Sequence, residues 1–320
     1  MLLLPGSLPA DHATLKALGD GLAALSDVAA MLGTALVEPF SGSWSDAERQ
    51  TLRLAGDLCD GQSLAASARS LDNAEHGYAI ATPLHAALGL TDLTVLDPAL
   101  IALTDDESRA LCEAADLHLS VDGVRLTFID VNIWLVTCTN AINVLTERPD
   151  WLIGEPLRPN LPRGKDARLV ERWMNELQML LFTHPVNAAR EACGVPPINL
   201  VWLWGFGSLN VAGTQGTTVG AALAAIPPSP APPFFAPQGA PTVAAINHLT
   251  ALLNGNVPAW QAAWQKLSPE ILSADSIMLG DSRPRLRLTP RKASSASRFM
   301  SLFQRKPTLS ETLTALQQQL

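Results

Sequence analysis

The segment from Asp166 to Gly207 leaves the backbone few options, because apolar periodicity, prolines and glycines follow one another with almost no slack. Val170, Trp173, Met174, Leu177, Leu180 and Leu181 recur at the spacing of one buried helical face. Asp166 stands where an N-cap would satisfy the first free amides. Thr183-His184-Pro185 interrupts that helix, since proline disfavours the α conformation in the residue before it. A shorter helix is predicted from about Val186 to Gly194, a residue suited to a left-handed C-terminal cap. Pro196 and Pro197 forbid its continuation. The nearly all-apolar run Ile198 to Trp204 then reads as a strand covered on both faces, with Gly205-Phe206-Gly207 expected to turn the chain at its end.

In open α/β sheets, ligands collect beyond the carboxyl ends of strands, where loops carry polar groups over a rigid base. The candidate binding residues are therefore His184, Asn187, Arg190, Asn199, Trp204, Gly205 and Gly207. Arginine offers a planar fork of donors, and glycine admits a ligand close to the backbone, so an anionic small molecule is the expected guest. The same residues also fit a purely structural role. In that reading His184 and Asn187 cap a helix junction, Arg190 is a solvated helix residue and the glycines only shape a turn.

Elsewhere the chain alternates helical and strand signals, which predicts an α/β or α+β fold, a mixed β-sheet flanked by helices. Residues 2 to 4 fit a first strand, and His12 to Ala30 shows helical spacing broken by Gly19 and Gly21. Ser45-Asp46-Ala47-Glu48 and Thr104-Asp105-Asp106-Glu107 read as capping boxes, the second opening a helix through about Leu117. A short helix is expected around Ser63 to Ser70, and strands at Tyr78 to Leu84 and Leu93 to Leu96. Val124 to Phe128 and Asn132 to Thr137 look like an antiparallel pair, and residues 141 to 165 like connection. The proline-dense stretch 227–241 is the best linker candidate, which divides the chain into a main domain over 1–226 and a C-terminal segment over 242–320. Within that segment a helical pattern runs from 242 to 267, Ser276 to Gly280 can pair with Leu286 to Leu288, and Thr308 with Glu311 opens a last helix.

With 320 residues, 48% of them hydrophobic, the chain can bury a substantial core. A net charge of -8 argues against a general nucleic-acid binder. Eight of the 22 cations nevertheless lie between Arg283 and Lys306 without a single acid, so an acidic partner for that stretch is one expectation and a solvated face the other. Cys59, Cys112, Cys138 and Cys193 form no C-x-x-C pair, which indicates neither a zinc site nor a disulfide framework. No segment has the length and apolarity of a membrane span or signal peptide, so a cytoplasmic location without membrane contact is expected. The six histidines show no H-x-H or H-x-x-x-H spacing, and no G-x-S-x-G elbow occurs. Asp20-Gly21 interrupts a helical pattern and is not read as a metal ligand.

The run His184-Pro185-Val186-Asn187, Arg190, Gly194, Pro197, Asn199, Trp202-Leu203-Trp204-Gly205 and Gly207 resembles the middle domain of archaeal-type cofactor-independent phosphoglycerate mutases, whose fold is alkaline-phosphatase-like. With Asn175, Glu176 and Gln178 in the motif Asn175 to Leu180, it resembles more closely a proteobacterial group labelled phosphoglycerate mutase-like or RpfE-type regulatory proteins. The likeness is specific over residues 160 to 207 and weaker over 77 to 137. Where those relatives have Arg-Ala-Asp-Pro-Val-His, this chain has Ile80-Ala81-Thr82-Pro83-Leu84-His85 and so lacks both charges. The resemblance implies two metal ions, Mn or Mg, if the chain is an enzyme. The family's His-x-Glu-Ala-Pro-Asp-Glu-Ala-Gly-His metal run has no counterpart here, which predicts a non-catalytic relative without catalytic residues, metal ligands or cofactor. It would be regulatory, bind a phosphorylated or carboxylated metabolite, or contact a protein partner. The alternatives are an active metal-dependent phosphomutase or phosphatase, and a scaffold acting through the basic C-terminal stretch.

Overall fold

The computed structural model describes residues 2–4, 6–8, 25–47, 77–89, 92–208, 256–281, 283–291 and 308–318. The chain divides into two compact units, one of residues 1–52 with 241–320 and one of residues 53–240. This differs from the expected continuous domain over 1–226. The reason is strand pairing: β1 (Leu2–Leu4) lies parallel to β9 (Ile277–Gly280), with Leu2 opposite Ile277 and Leu4 opposite Leu279. A sheet edge leaves backbone donors and acceptors unpaired, so the two ends of the chain satisfy each other.

The first unit holds a mixed four-stranded sheet in the order β1-β9-β10-β2. Strand β10 (Pro284–Thr289) runs antiparallel to both β9 and β2 (Leu36–Pro39). Helices α1 (Ser26–Thr34), α6 (Val257–Ser273) and α7 (Leu309–Gln317) supply the rest of the core. It is built from Leu4, Leu32, Trp260, Trp264, Ile271, Leu279, Leu288 and Leu313, all fully buried. Trp260 and Trp264 meet edge to face with centroids 5.9 Å apart, and the Trp260 indole donates to the Gly6 carbonyl at 2.8 Å. The predicted strands at both ends and the Thr308–Glu311 capping box are present. The other N-terminal box is displaced: Ser43 and Asp46 exchange side-chain-to-backbone bonds at 3.0 Å, so Ser43 rather than Ser45 caps that helix.

The second unit carries an antiparallel sheet, β6-β7-β3-β8. Its strands are β3 (Gly77–Leu84), β6 (Val124–Asp130), β7 (Ile133–Cys138) and β8 (Leu200–Ser208). A small hairpin of β4 (Ala86–Leu88) and β5 (Leu93–Val95) follows β3. Strand β3 is buried at every position because it is central and paired on both edges. After the short helix α2 (Pro98–Ile101), α3 (Asp105–Leu119) packs on β6 and α4 (Ala167–Phe182) on β8, and these two helices touch each other. The buried face of α4 is Val170, Trp173, Met174, Leu177 and Leu181, as its spacing requires. Helix α5 (Pro185–Ala192) follows at once. The fold is thus mixed α/β with sheets flanked by helices.

The Thr104–Glu107 capping box forms in full, and α3 reaches Leu119. Asp166 gives α4 no side-chain cap; its carboxylate instead accepts from the Asn143 amide at 2.7 Å. The expected helix at 63–70, the Asp20-Gly21 pair and the proline-dense stretch lie outside the described residues. Among the described residues no helix is long and apolar enough to cross a membrane.

Candidate functional site

Strand β8 separates the candidate residues into two groups. His184, Asn187, Arg190 and Asn199 lie before or at its start, and Gly205 and Gly207 near its end. Six residues at ~3.3 Å each put about 20 Å between Asn199 and Gly205. The expectation of one pocket holding both groups is therefore corrected. Its premise also fails, because an antiparallel sheet has no single edge at which carboxyl ends gather.

The first group forms a closed hydrogen-bond network. The Asn187 side-chain amide donates to the carbonyls of Leu181 (2.8 Å) and Ile198 (2.7 Å) and accepts from the Ile198 amide (2.7 Å). One buried side chain thereby ties the end of α4 to the residues entering β8. Asn199 pairs with the backbone of Ala86 like a strand residue, accepting at 2.7 Å and donating at 2.9 Å. The His85 ring Nδ1 lies 2.7 Å from the Pro197 carbonyl, an acceptor, so this nitrogen carries a proton. His184 caps α5, its Nδ1 accepting from the Val186 amide at 3.3 Å, which requires the neutral ring. Burial lowers its pKa in the same direction.

Arg190 is only 3% exposed. Its Nε donates to the Pro196 carbonyl at 2.9 Å, Nη1 to Glu107 Oε2 at 2.8 Å, and Nη2 to the Ile101 carbonyl. It is neither a solvated helix residue nor a fork open to a ligand. Burial pushes the Glu107 carboxyl up, but hydrogen bonds from Thr104 and Arg190, with the charge of Arg190, outweigh it and hold the pKa below its ordinary value. The cap of α3 and the core of α5 are thus one electrostatic unit. Gly194, at φ 71°, ends that helix in the left-handed conformation, as expected.

The second group differs in kind. Gly205 and Gly207 do not turn the chain but lie within β8. Tyr78 pairs with Gly207 and Ile80 with Trp204, so β8 carries an extra residue there, and Gly205 takes φ 66°. This is a β-bulge of the kind that glycine permits. The Gly205 amide donates to the Thr146 hydroxyl at 3.3 Å, and the Trp204 indole to the Thr82 hydroxyl at 2.9 Å.

Against this bulge lie residues that sequence reading passed over as connection. Thr146, Glu147 and Arg148 are all buried. The Trp202 indole donates to the Glu147 carbonyl at 2.7 Å, Glu147 pairs with Arg163 at 3.1 Å, and the Arg148 guanidinium sits 5.5 Å from the centre of the Trp204 ring. The available signal was three consecutive polar residues, two of them charged, in a proline-punctuated stretch.

Asn175 and Gln178 are exposed on the outer side of α4, while Glu176 lies 3.0 Å from Arg172 and 3.4 Å from His118. Burial first, with nearby Asp116 and Glu113, raises the Cys112 thiol to about 12, and burial alone does the same for Cys138, so neither supplies a thiolate. Among the described residues no group of three or more His, Cys, Asp or Glu side chains could hold a metal ion. No ligand set for Mn or Mg can be named from them.

No protein-family model matches the chain. In sequence it is 31% identical over 107 residues to a 2,3-bisphosphoglycerate-independent phosphoglycerate mutase of Methanosarcina mazei, covering 33% of this chain and 27% of that protein. It is 42% identical over 59 residues to the enzyme of that name from Methanothrix thermoacetophila, covering 18% and 15%. The chain therefore spans about a quarter or less of the length of these relatives. Among solved structures, a cofactor-independent phosphoglycerate mutase from Thermoplasma acidophilum aligns with a TM-score of 0.39 at 12% identity, covering 91% of this chain and 89% of that one. The PH0037 protein of Pyrococcus horikoshii aligns with a TM-score of 0.34 at 15% identity, covering 92% and 88%. About a third of the chain is thus related to the cofactor-independent phosphoglycerate mutases.

Proposed function

We propose that this chain is a non-catalytic relative of those mutases, of the RpfE-type regulatory kind, that works by binding a phosphorylated or carboxylated small molecule. The observation that carries this reading is the internal use of Asn187, Arg190 and Asn199. The segment whose motifs resemble those enzymes serves as a frame for β8, with Asn187, Arg190 and Asn199 bonded within the chain. The ligand-facing end is then the bulge of Trp204, Gly205 and Gly207. Buried cationic charge at Arg148 and a backbone bent at Gly205 suit an anion there.

A thermal-shift screen of the purified chain against phosphorylated and carboxylated metabolites, with and without Mn or Mg, tests the proposal. Stabilisation that is independent of divalent metal and lost in Arg148→Gln is expected. The names of the sequence relatives favour a second reading, a working phosphotransferase. Stoichiometric Mn or Mg in the purified protein, with phosphoglycerate turnover abolished by chelator, would establish that reading in place of the first.

The basic C-terminal stretch supports a scaffold role less well where it is described. Arg285 pairs with Asp281 at 2.6 Å and Arg287 lies over Phe40. The cations from Lys292 to Lys306 lie outside the described residues.

A further inference from the structure

The outer face of α4 carries a stripe that is exposed among the described residues. Arg168, Arg172, Asn175, Met179 and Phe182 are all exposed and follow one another at intervals of four, three, four and three residues. That interval defines a seam along which a second helix can lie. Met179 is 72% exposed and Phe182 81%, unusual for large apolar side chains, and Leu117 and Val121 at the nearby end of α3 are 77% and 87% exposed. The seam is also held in shape. Arg172 donates to Asp122 at 2.8 Å and to Glu176 at 3.0 Å, and Asp122 also receives the Trp173 indole at 2.8 Å.

The order of residues along the seam selects the occupant. Its N-terminal half carries Arg168 and the ion-paired Arg172, its C-terminal half is apolar, and an amide stands at the centre. We propose that α4 pairs antiparallel with α4 of a second copy of this chain, about a two-fold axis at Asn175. In that arrangement Arg168 of each copy meets Phe182 of the other, Arg172 meets Met179, and the two Asn175 amides face each other. A guanidinium over an aromatic face is attractive, and Arg168 approaches the negative end of the opposing helix dipole. A parallel pairing would instead set arginine on arginine. An Asn pair at the centre of the seam fixes register because each amide is both donor and acceptor. The contact is isologous, so it closes at two copies.

Sedimentation velocity of the full chain at rising concentration is the first measurement, and a monomer–dimer equilibrium is expected. The discriminating pair is Phe182→Arg and Phe182→Glu. Arginine would confront Arg168 of the second copy and weaken dimerisation at least ~10-fold, whereas glutamate would pair with it and leave the constant within ~3-fold. A chain that stays monomeric, or equal weakening by both variants, overturns the proposal. Independently, in a background with Cys59→Ser and Cys193→Ser, Asn175→Cys should oxidise to a covalent dimer much faster than Glu191→Cys on α5. Equal rates would also overturn it.

Discussion

Arg190 illustrates how one residue type supports opposite expectations. An arginine near glycines suggests an anion clamp, yet three donor nitrogens here end on Pro196, Glu107 and Ile101. Arg190→Ala leaves the Glu107 carboxylate and two carbonyls without their partner, and a loss of about 3 kcal/mol in urea-unfolding stability is expected. Ligand affinity of the folded fraction should not change, whereas loss of affinity without loss of stability would restore the clamp. His184 makes a pH-dependent prediction. Its native pKa lies below the ordinary 6.5, so its contribution is complete above that value and is lost as pH falls through the native pKa. The unfolding midpoint should drop on acidification below pH ~6.5, and His184→Asn, which keeps a cap acceptor that does not titrate, should reduce that drop. An unchanged pH profile in the variant would show that His184 does not contribute.

At the scale of elements, the helices α3, α4 and α7 and the β6–β7 pair follow from local signals, because capping boxes and apolar spacing act within a few residues. Strand β8 departs from its local signal. Gly205-Phe206-Gly207 reads as a turn, but β3 continues alongside as far as Gly77 and keeps those residues in the ladder as a bulge. Gly205→Ala forces a side chain into φ 66° and should cost about 1–2 kcal/mol, measured by the urea midpoint. Thr104→Ala should cost about 1 kcal/mol as a lost cap. Combined with Arg190→Ala it should be non-additive, since both act on Glu107. Strict additivity would separate the cap from the buried ion pair.

Over the whole molecule, the two units have separate cores, one around Trp260 and Trp264 and one around Trp134 and Trp202. Calorimetry should therefore resolve two transitions, and Leu288→Ala, at a fully buried position in β10, should lower one of them by the equivalent of about 3 kcal/mol while leaving the other in place. A single transition that shifts as a whole would show that the units unfold together. Because β10 and α7 belong to the first core, any test of the basic stretch should replace its arginines and lysines and leave residues 283–320 in place. The sequence by itself determined the helices with strong amphipathic spacing, the capping boxes of α3 and α7, the hairpin pairing in both units and the kinship with the mutases. Each of these is written in residues a few positions apart or in a contiguous motif. Only the tertiary structure decided that the first strand joins the last sheet, that Arg190 faces inward and that the two halves of the expected pocket stand at opposite ends of β8. Those outcomes depend on which distant backbone groups and charges find partners, and residue spacing along the chain carries no record of that.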